Sequence, residues 1–177
     1  MKTLVIYTSQ TGFTKKYAEW IGNRVNGDII NLDEAKRKKD NFYDEYETII
    51  YGGWTMAGSV VKLKWFLSKA ALWKKKKLAI FCVGASPIAS PDVKTTLDKL
   101  LDDSQKEYIK VFYCQGGLDY SKMKGPYKMA MRAFASMMRK KKDATDDEKI
   151  MAEMISKSYD ISDEKYVEPI VEYITNL

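Results

Sequence analysis

The chain alternates between short, continuous apolar runs and longer stretches with helical spacing. The apolar runs predict five strands, at residues 3–7, 28–32, 48–52, 78–83 and 108–113. Helical spacing and capping signals predict helices at residues 14–25, 60–72, 90–102, 127–141, 145–157 and 163–175. Residues 33–45 are charged and irregular, which indicates a surface connection. Continuous apolar strands that alternate with helices are typical of an α/β fold whose parallel sheet is covered on both faces.

Three polar loops follow the carboxyl ends of predicted strands, at residues 8–14, 53–59 and 84–89. All three are rich in small or hydroxyl-bearing residues. Open parallel sheets bind ligands beyond the carboxyl ends of their strands, at the point where the strand order reverses. The three loops together therefore predict one ligand site at this edge of the sheet.

The first of these loops has the composition of a phosphate site. It joins a strand to a helix N-terminus, where free backbone N–H groups and the helix dipole favour an anion. Hydroxyl groups supply further donors, and Gly12 allows close approach of the backbone; the hydroxyl residues are Thr8, Ser9, Thr11 and Thr14. The loop has neither G-x-G-x-x-G nor the lysine-bearing motif of NTPases. It suits a phosphomonoester held by neutral donors.

Composition limits the chemistry that the side chains can perform. At 177 residues with 45% hydrophobic content, the chain is predicted to be one domain, residues 1–177. It has no histidine, which excludes Ser-His-Asp and Cys-His catalysis and most zinc sites, and we predict no metal site. Cys82 and Cys114 are interpreted as buried small hydrophobes. The chemistry is therefore expected to come from a cofactor.

Positive charge is concentrated in one segment. The net charge is +6, but residues 121–142 contain eight basic and no acidic residues. These basic residues are Lys122, Lys124, Lys128, Arg132, Arg139, Lys140, Lys141 and Lys142. The predicted helix at 127–141 carries one apolar stripe, formed by Tyr127, Ala130 or Met131, Phe134, and Met137 or Met138. Such a stripe either joins the core or forms a binding face, and basic amphipathic helices are typical of membrane surfaces.

The opening residues match the signature of a known family. They are Val5, Ile6, Tyr7, Ser9, Gly12, Thr14, Ala18 and Ile21. The chain resembles flavodoxin-like FMN proteins over nearly its whole length. Four further features carry this resemblance: the start M-K-T-L, the loop T-S-Q-T-G-F-T, the later G-G-L-D-Y at 116–120 and the long segment before the last helix. It is most similar to the flavodoxin-type, menaquinone-dependent protoporphyrinogen IX dehydrogenases. The resemblance implies a three-layer sandwich with strand order 2-1-3-4-5 and a basic helical insertion, residues 121–160, after strand 5.

The resemblance also implies FMN as the cofactor. The residues implied to hold its phosphate are Thr8, Ser9, Gln10, Thr11, Gly12, Phe13 and Thr14. Those implied to flank its isoalloxazine are Gly53, Trp54, Thr55, Met56, Ala57, Gly58, Val83, Gly84, Ala85, Ser86 and Pro87, with Tyr120 at the ring edge. Trp54 either stacks on the flavin or caps the core. Gly52 and Gly53 either permit a redox-linked peptide rearrangement or form a plain turn.

The function expected from these features is FMN-dependent electron transfer from a reduced substrate to a quinone or redox partner, similar to protoporphyrinogen oxidation. Two alternatives stay open: an electron carrier that docks an acidic partner, and a non-catalytic membrane or protein interaction module. Because no apolar run reaches the ~20 residues of a membrane span and no signal peptide is evident, we expect a cytoplasmic protein. The segment Lys122 to Lys142 is the candidate contact with an anionic membrane on the inner face of the cell membrane. No nucleic-acid partner is expected, because the sequence contains no recognised nucleic-acid-binding motif.

Overall fold

A computed structural model describes residues 2–176, and Met1 and Leu177, the ends of the predicted domain, lie outside the described residues. The strands are β1 Thr3–Tyr7, β2 Asp28–Asn31, β3 Thr48–Met56, β4 Ser59–Val60, β5 Lys77–Gly84, β6 Ile109–Gln115, β7 Gly117–Leu118 and β8 Tyr159–Asp160. The helices are α1 Phe13–Val25, α2 Leu32–Ala35, α3 Leu63–Ala70, α4 Pro91–Asp98, α5 Asp103–Lys106, α6 Gly125–Lys140, α7 Asp146–Met154 and α8 Glu168–Thr175. Short 3₁₀ turns occupy Asp40–Tyr43 and Glu164–Val167.

The main sheet is parallel, with strand order β2-β1-β3-β5-β6. This arrangement confirms the predicted order of the five principal strands. The chain moves outward from β1 in both directions, so the strand order reverses between β1 and β3. Tyr7 pairs with Gly52, and Gly84 pairs with Gln115. The carboxyl ends of β1, β3, β5 and β6 therefore lie along one edge.

Helices cover both faces of the sheet, because alternate strand residues bury their side chains on opposite sides. One core contains Leu4, Ile6, Ile49, Tyr51, Leu78 and Ile80 with Phe66 of α3 and Val93 of α4. The other contains Val5, Ile50, Ala79 and Phe81 with Tyr17 and Ile21 of α1 and Ile170 and Ile174 of α8. This three-layer arrangement matches the expected fold class. In the described part of the chain, no helix is long and apolar enough to span a membrane.

The prediction that the third strand ends at residue 52 and a loop follows is wrong. β3 continues to Met56 and returns through a tight turn as β4. The turn is made by Ala57 and Gly58, with φ of 48° and 73°, as in a two-residue hairpin with positive φ at both central positions. Gly52 and Gly53 are buried strand residues rather than turn glycines. A Cβ on Gly52 would lie 1.9 Å from Cζ of Phe81.

The insertion after β6 builds a small core of its own. β7 and β8 form an antiparallel ribbon, and α6 packs against α7. Their core consists of Leu118, Tyr120, Ala135 and Ile155, with Met123, Met131, Met138, Met151 and Tyr159 packed around it. The predicted capping box of Thr145 and Glu148 at the start of α7 is confirmed. The ribbon was not predicted, because its two-residue strands are too short to show a pattern.

Two further helix predictions are corrected by capping. The helix predicted at residues 90–102 is divided into α4 and α5, because Asp102 forms a capping box with Gln105 and starts a new helix. The helix predicted at residues 163–175 begins as a 3₁₀ turn capped by Asp163 before α8. Residues 33–45, predicted to form an irregular connection, include most of α2 and a 3₁₀ turn, which bury Ala35 and Tyr43.

Candidate functional site

The N-terminus of α1 is open towards the carboxyl edge of the sheet. Its N-cap is Gly12, in the left-handed region at φ 104°, and within residues 2–176 no side chain caps the helix. The first turn also carries no acidic residue. The first backbone N–H groups of a helix have no partner inside the helix, so those of Phe13, Thr14 and Lys15 are available at the positive end of the dipole. This arrangement suits an anion.

Short contacts fix the loop that precedes α1. The N–H of Thr8 donates to the carbonyl of Gly52 at 2.9 Å, which extends the pairing of β1 with β3. The N–H of Gly12 donates to Oγ of Ser9 at 3.2 Å. The loop therefore keeps its shape without using the first-turn N–H groups of α1.

Two cavities meet at this loop. One, of about 300 Å³, lies towards α2 and is lined by Tyr7, Thr8, Ser9, Gln10, Gly12, Lys15, Asn31, Leu32 and Asp33. The other, of about 580 Å³, lies towards the insertion and is lined by Thr11, Gly12, Phe13, Lys16, Leu118, Asp119, Ser121, Lys122, Ser158, Tyr159 and Asp160. Within the second cavity, Nζ of Lys16 lies 3.0 Å from a carboxylate oxygen of Asp160. Acidic and basic side chains therefore balance each other there.

The three predicted loops converge around the end of β5. A Cβ on Gly84 would lie 2.3 Å from the Tyr113 hydroxyl and 2.8 Å from Oγ1 of Thr55, which belongs to the β3–β4 hairpin. A Cβ on Gly116 would lie 2.7 Å from Cγ1 of Val83 and 3.5 Å from Cβ of Phe13, which belongs to the first loop. The structure thus brings the predicted site residues of the three loops to one edge. Their contact with a cofactor stays a prediction.

Hydrogen bonds hold the loop that follows β5. The hydroxyl of Tyr113 donates to the carbonyl of Ser86, and that of Tyr159 donates to the carbonyl of Ala85, both at 2.7 Å. The N–H of Ile88 donates to Oε1 of Gln115 at 2.6 Å. Burial raises the pKa of both tyrosines, which keeps their hydroxyls protonated as hydrogen-bond donors.

The sequence interpretation missed these bracing residues. Tyr113 and Gln115 lie at the end of a strand. An aromatic or amide side chain next to a polar loop is common there and only weakly indicates that it holds another loop in place. Tyr159 lies 74 residues from Ala85 along the chain. Nothing in its local pattern indicates that β8 returns to this loop.

Trp54 and Tyr120 occupy different surroundings. Trp54 is half-buried on β3, and its ring meets that of Tyr127 on α6 edge to face, with centroids 6.5 Å apart. Tyr120 is buried in the core of the insertion, and its hydroxyl donates to the carbonyl of Ile155 at 2.6 Å. Trp54 therefore links the hairpin to α6, whereas the hydroxyl of Tyr120 is engaged within the insertion. Their predicted roles beside a flavin stay predictions.

The two cysteines are buried and free, as predicted. Burial raises the pKa of both thiols, and both pKa values lie well above the usual range. A protonated, buried thiol is a poor nucleophile and a poor ligand. Cys82 and Cys114 therefore serve packing.

Comparison with known proteins agrees with this architecture. A family model described as "Flavodoxin domain" matches residues 4–146. The solved structure of oxidised flavodoxin 1 from Bacillus cereus is similar, with 16% identity and a TM-score of 0.51, covering 100% of this chain and 99% of that chain. A flavoprotein in complex with FMN from Lactobacillus acidophilus NCFM has 19% identity and a TM-score of 0.44, covering 64% of this chain and 91% of that chain. No curated protein gives a significant match. The chain belongs to the flavodoxin domain family.

Proposed function

We propose that this protein binds FMN and is an oxidoreductase that passes electrons from a reduced substrate to a quinone or a redox-protein partner, similar to the protoporphyrinogen dehydrogenases. The observation that carries the proposal is the open N-terminus of α1, capped only by Gly12, beside the point where the strand order reverses. Membership of the flavodoxin domain family supports it.

The phosphate is assigned to the loop before α1. First-turn N–H groups and the hydroxyls of Ser9, Thr11 and Thr14 offer neutral donors to a dianion, in addition to the helix dipole. Two lysines of the first turn of α1 are already paired, Lys15 with Glu19 and Lys16 with Asp160. A phosphomonoester therefore fits the donors that the loop presents.

The ring is assigned to the edge between the β3–β4 hairpin and the loop after β5. FMN, when bound, supplies one-electron and two-electron transfer. The chain supplies position: Tyr113 and Tyr159 fix two carbonyls of the loop, and Trp54 presents a half-buried aromatic surface. The protein has no histidine, and its cysteine thiols stay protonated, so neither residue type serves as a base beside the ring. Orientation and electrostatics are the contributions of the protein.

Binding of FMN can be tested with a variant whose effects on affinity and stability have opposite signs. Thr11→Asp places a carboxylate before the N-terminus of α1, which stabilises the helix by up to about 1 kcal/mol but competes with the phosphate. We expect the parent to take up FMN far more tightly than riboflavin, which has no phosphate. The variant should lose at least tenfold in FMN affinity without loss of stability.

Thr145→Asp is the matched control, since it adds the same charge at the N-cap of α7, and its FMN affinity should equal that of the parent. A parent that takes up no FMN would contradict the cofactor assignment. A Thr11→Asp variant that binds FMN normally would contradict the assignment of the phosphate to this loop.

The electron-carrier alternative is favoured by one observation: six basic residues of the insertion make no ion pair within residues 2–176, which suits an acidic partner. Anaerobic turnover separates the two functions. We expect the FMN-loaded enzyme to oxidise reduced donors, protoporphyrinogen among them, with a menaquinone analogue as acceptor. A carrier would exchange electrons with a reductase but would turn over none of these donors.

A further inference from the structure

α6 has two apolar sides, and only one of them is buried. Tyr127, Met131, Ala135 and Met138 face Trp54 or the core of the insertion. Met129, Phe134 and Met137 are 72%, 43% and 60% exposed. Within the predicted single stripe, Tyr127, Met131 and Met138 are therefore half-buried, whereas Phe134 and Met137 are exposed. At about 100° per residue, Met137 lies about 60° from Phe134 and about 80° from Met129, so the three exposed side chains form one broad arc that needs an explanation.

Positive charge lies at both ends of this exposed face. Of the eight basic residues at 122–142, two form ion pairs: Lys122 with Asp119 at 3.2 Å and Lys141 with Glu148 at 2.6 Å. The other six make no ion pair with any residue in the range 2–176; they are Lys124, Lys128, Arg132, Arg139, Lys140 and Lys142. α6 itself carries no acidic residue. Lys124, Lys140 and Lys142 stand at the two ends of the exposed face, whereas Lys128, Arg132 and Arg139 lie about 140–180° around the helix from Met137.

We propose that this exposed face of α6 lies on an anionic lipid surface, with Met129, Phe134 and Met137 in the interfacial region and Lys124, Lys140 and Lys142 at the headgroups. Long apolar side chains within a basic helix match the depth and charge of that interface. A second copy of the chain is a poor occupant, because two such basic faces would repel each other.

The docking surface adjoins the proposed flavin edge. Tyr127 at the start of α6 contacts Trp54 of the β3–β4 hairpin. A lipid-bound α6 would thus hold the ring edge near lipid-dissolved quinones. This last consequence rests on the proposed function, whereas the lipid contact itself does not.

Vesicle flotation tests the lipid contact. The full-length protein should bind vesicles that contain about one-third phosphatidylglycerol in phosphatidylcholine and should not bind pure phosphatidylcholine. Raising the salt to about 0.5 M, where the Debye length is only a few Å, should release it. Each basic residue near an anionic surface contributes about a fivefold factor in affinity, so the triple variant Lys124→Gln, Lys140→Gln and Lys142→Gln should bind about a hundredfold more weakly.

A second variant removes the apolar contribution alone. Phe134→Ser with Met137→Ser changes exposed side chains, so folding should persist while vesicle binding falls at least tenfold. Leu72→Ser is its control, because Leu72 is 73% exposed and lies after α3, far from α6 in the fold. The control for charge neutralises three exposed lysines elsewhere, Lys36, Lys39 and Lys75.

Equal binding to both vesicle types, or parent-like binding by the α6 variants, would overturn the proposal. So would a protein that ignores vesicles but binds an acidic protein through α6. FMN titration of the same samples keeps the two proposals separate. Loss of vesicle binding with intact FMN affinity refutes only the lipid contact, and the reverse refutes only the cofactor.

Discussion

Gly52 is buried within β3, where the structure gives the absence of a side chain a packing reason. Its partner across the sheet is Phe81, whose ring covers the glycine. In Gly52→Ala the new Cβ would lie 1.9 Å from Cζ and 2.4 Å from Cε1 and Cε2 of Phe81. Phe81 is completely buried and cannot swing into solvent. Overpacking costs typically about 1–3 kcal/mol, and since this overlap is with a rigid ring we expect about 3 kcal/mol.

A double-mutant cycle measures whether the ring causes that cost. Phe81→Leu alone should lose about 1–2 kcal/mol by leaving space in the core. In the double variant the penalty of Gly52→Ala should fall by about 2 kcal/mol, because the leucine can move away from the new methyl group. Urea unfolding gives the four free energies, provided that the m-values agree.

The control for this cycle is Gly58→Ala in the hairpin turn. No atom lies within 4 Å of a Cβ at that position, so its cost comes from the positive φ alone, on the order of 1 kcal/mol, and should not depend on Phe81. Additive free energies for Gly52→Ala and Phe81→Leu would refute the packing argument.

The remaining predictions concern single polar groups. Tyr159→Phe removes the hydrogen bond from its hydroxyl to the loop after β5, so the protein should lose about 1 kcal/mol of stability and bind FMN more weakly. The control is Tyr173→Phe, which removes a hydrogen bond to the carbonyl of Leu78 at the other end of β5. It should lower stability and leave FMN affinity unchanged. Thr48→Val should raise the free energy of unfolding by about 1 kcal/mol, because the buried Oγ1 has no hydrogen-bond partner among the described residues; a loss on urea unfolding would contradict this. The hydroxyl of Ser121 is the main cause that lowers the pKa of Asp119 to about 2. The stabilisation by Asp119 is therefore complete above its unfolded pKa of about 4 and is lost as the pH falls towards 2, and Asp119→Asn should remove that part of the acid dependence of unfolding.

The main sheet could be predicted from sequence because its central strands β1, β3 and β5 are buried on both faces. Residues 4–6 and 78–83 are apolar without interruption, and runs this short are typical of buried strands rather than of helices. The end of β3 could not be predicted in the same way. Two glycines stop the apolar run at Gly52, but there the missing side chains make room for Phe81 and Val60, which are neighbours only in the fold. From the local sequence alone, such a pair of glycines predicts a turn.

The candidate site likewise has a part that could be predicted from local sequence and a part that depends on contacts between distant segments. The loop before α1 could be predicted because strand, loop and helix N-terminus are consecutive in sequence, and the site consists mostly of backbone N–H groups. The position of the loop after β5 could be predicted, but the side chains that hydrogen-bond to it could not. Gln115 and Tyr159 reach it from β6 and from the end of the insertion. Hydrogen bonds between distant segments leave no periodic signal in the chain.

The insertion shows why a correct helix prediction can still leave the function of its faces open. Helical spacing groups Tyr127, Met131, Phe134 and Met138 because they are three or four residues apart and lie within about 60° of the helix circumference. That spacing does not show where the neighbouring elements stop covering the stripe. The part next to the ribbon is buried and, through Tyr159, is tied to the loop after β5. The part beyond it stays exposed with the basic residues. The two sides of this helix therefore differ: its buried side contacts Trp54 and packs in the insertion core, and its exposed side carries the proposed lipid contact.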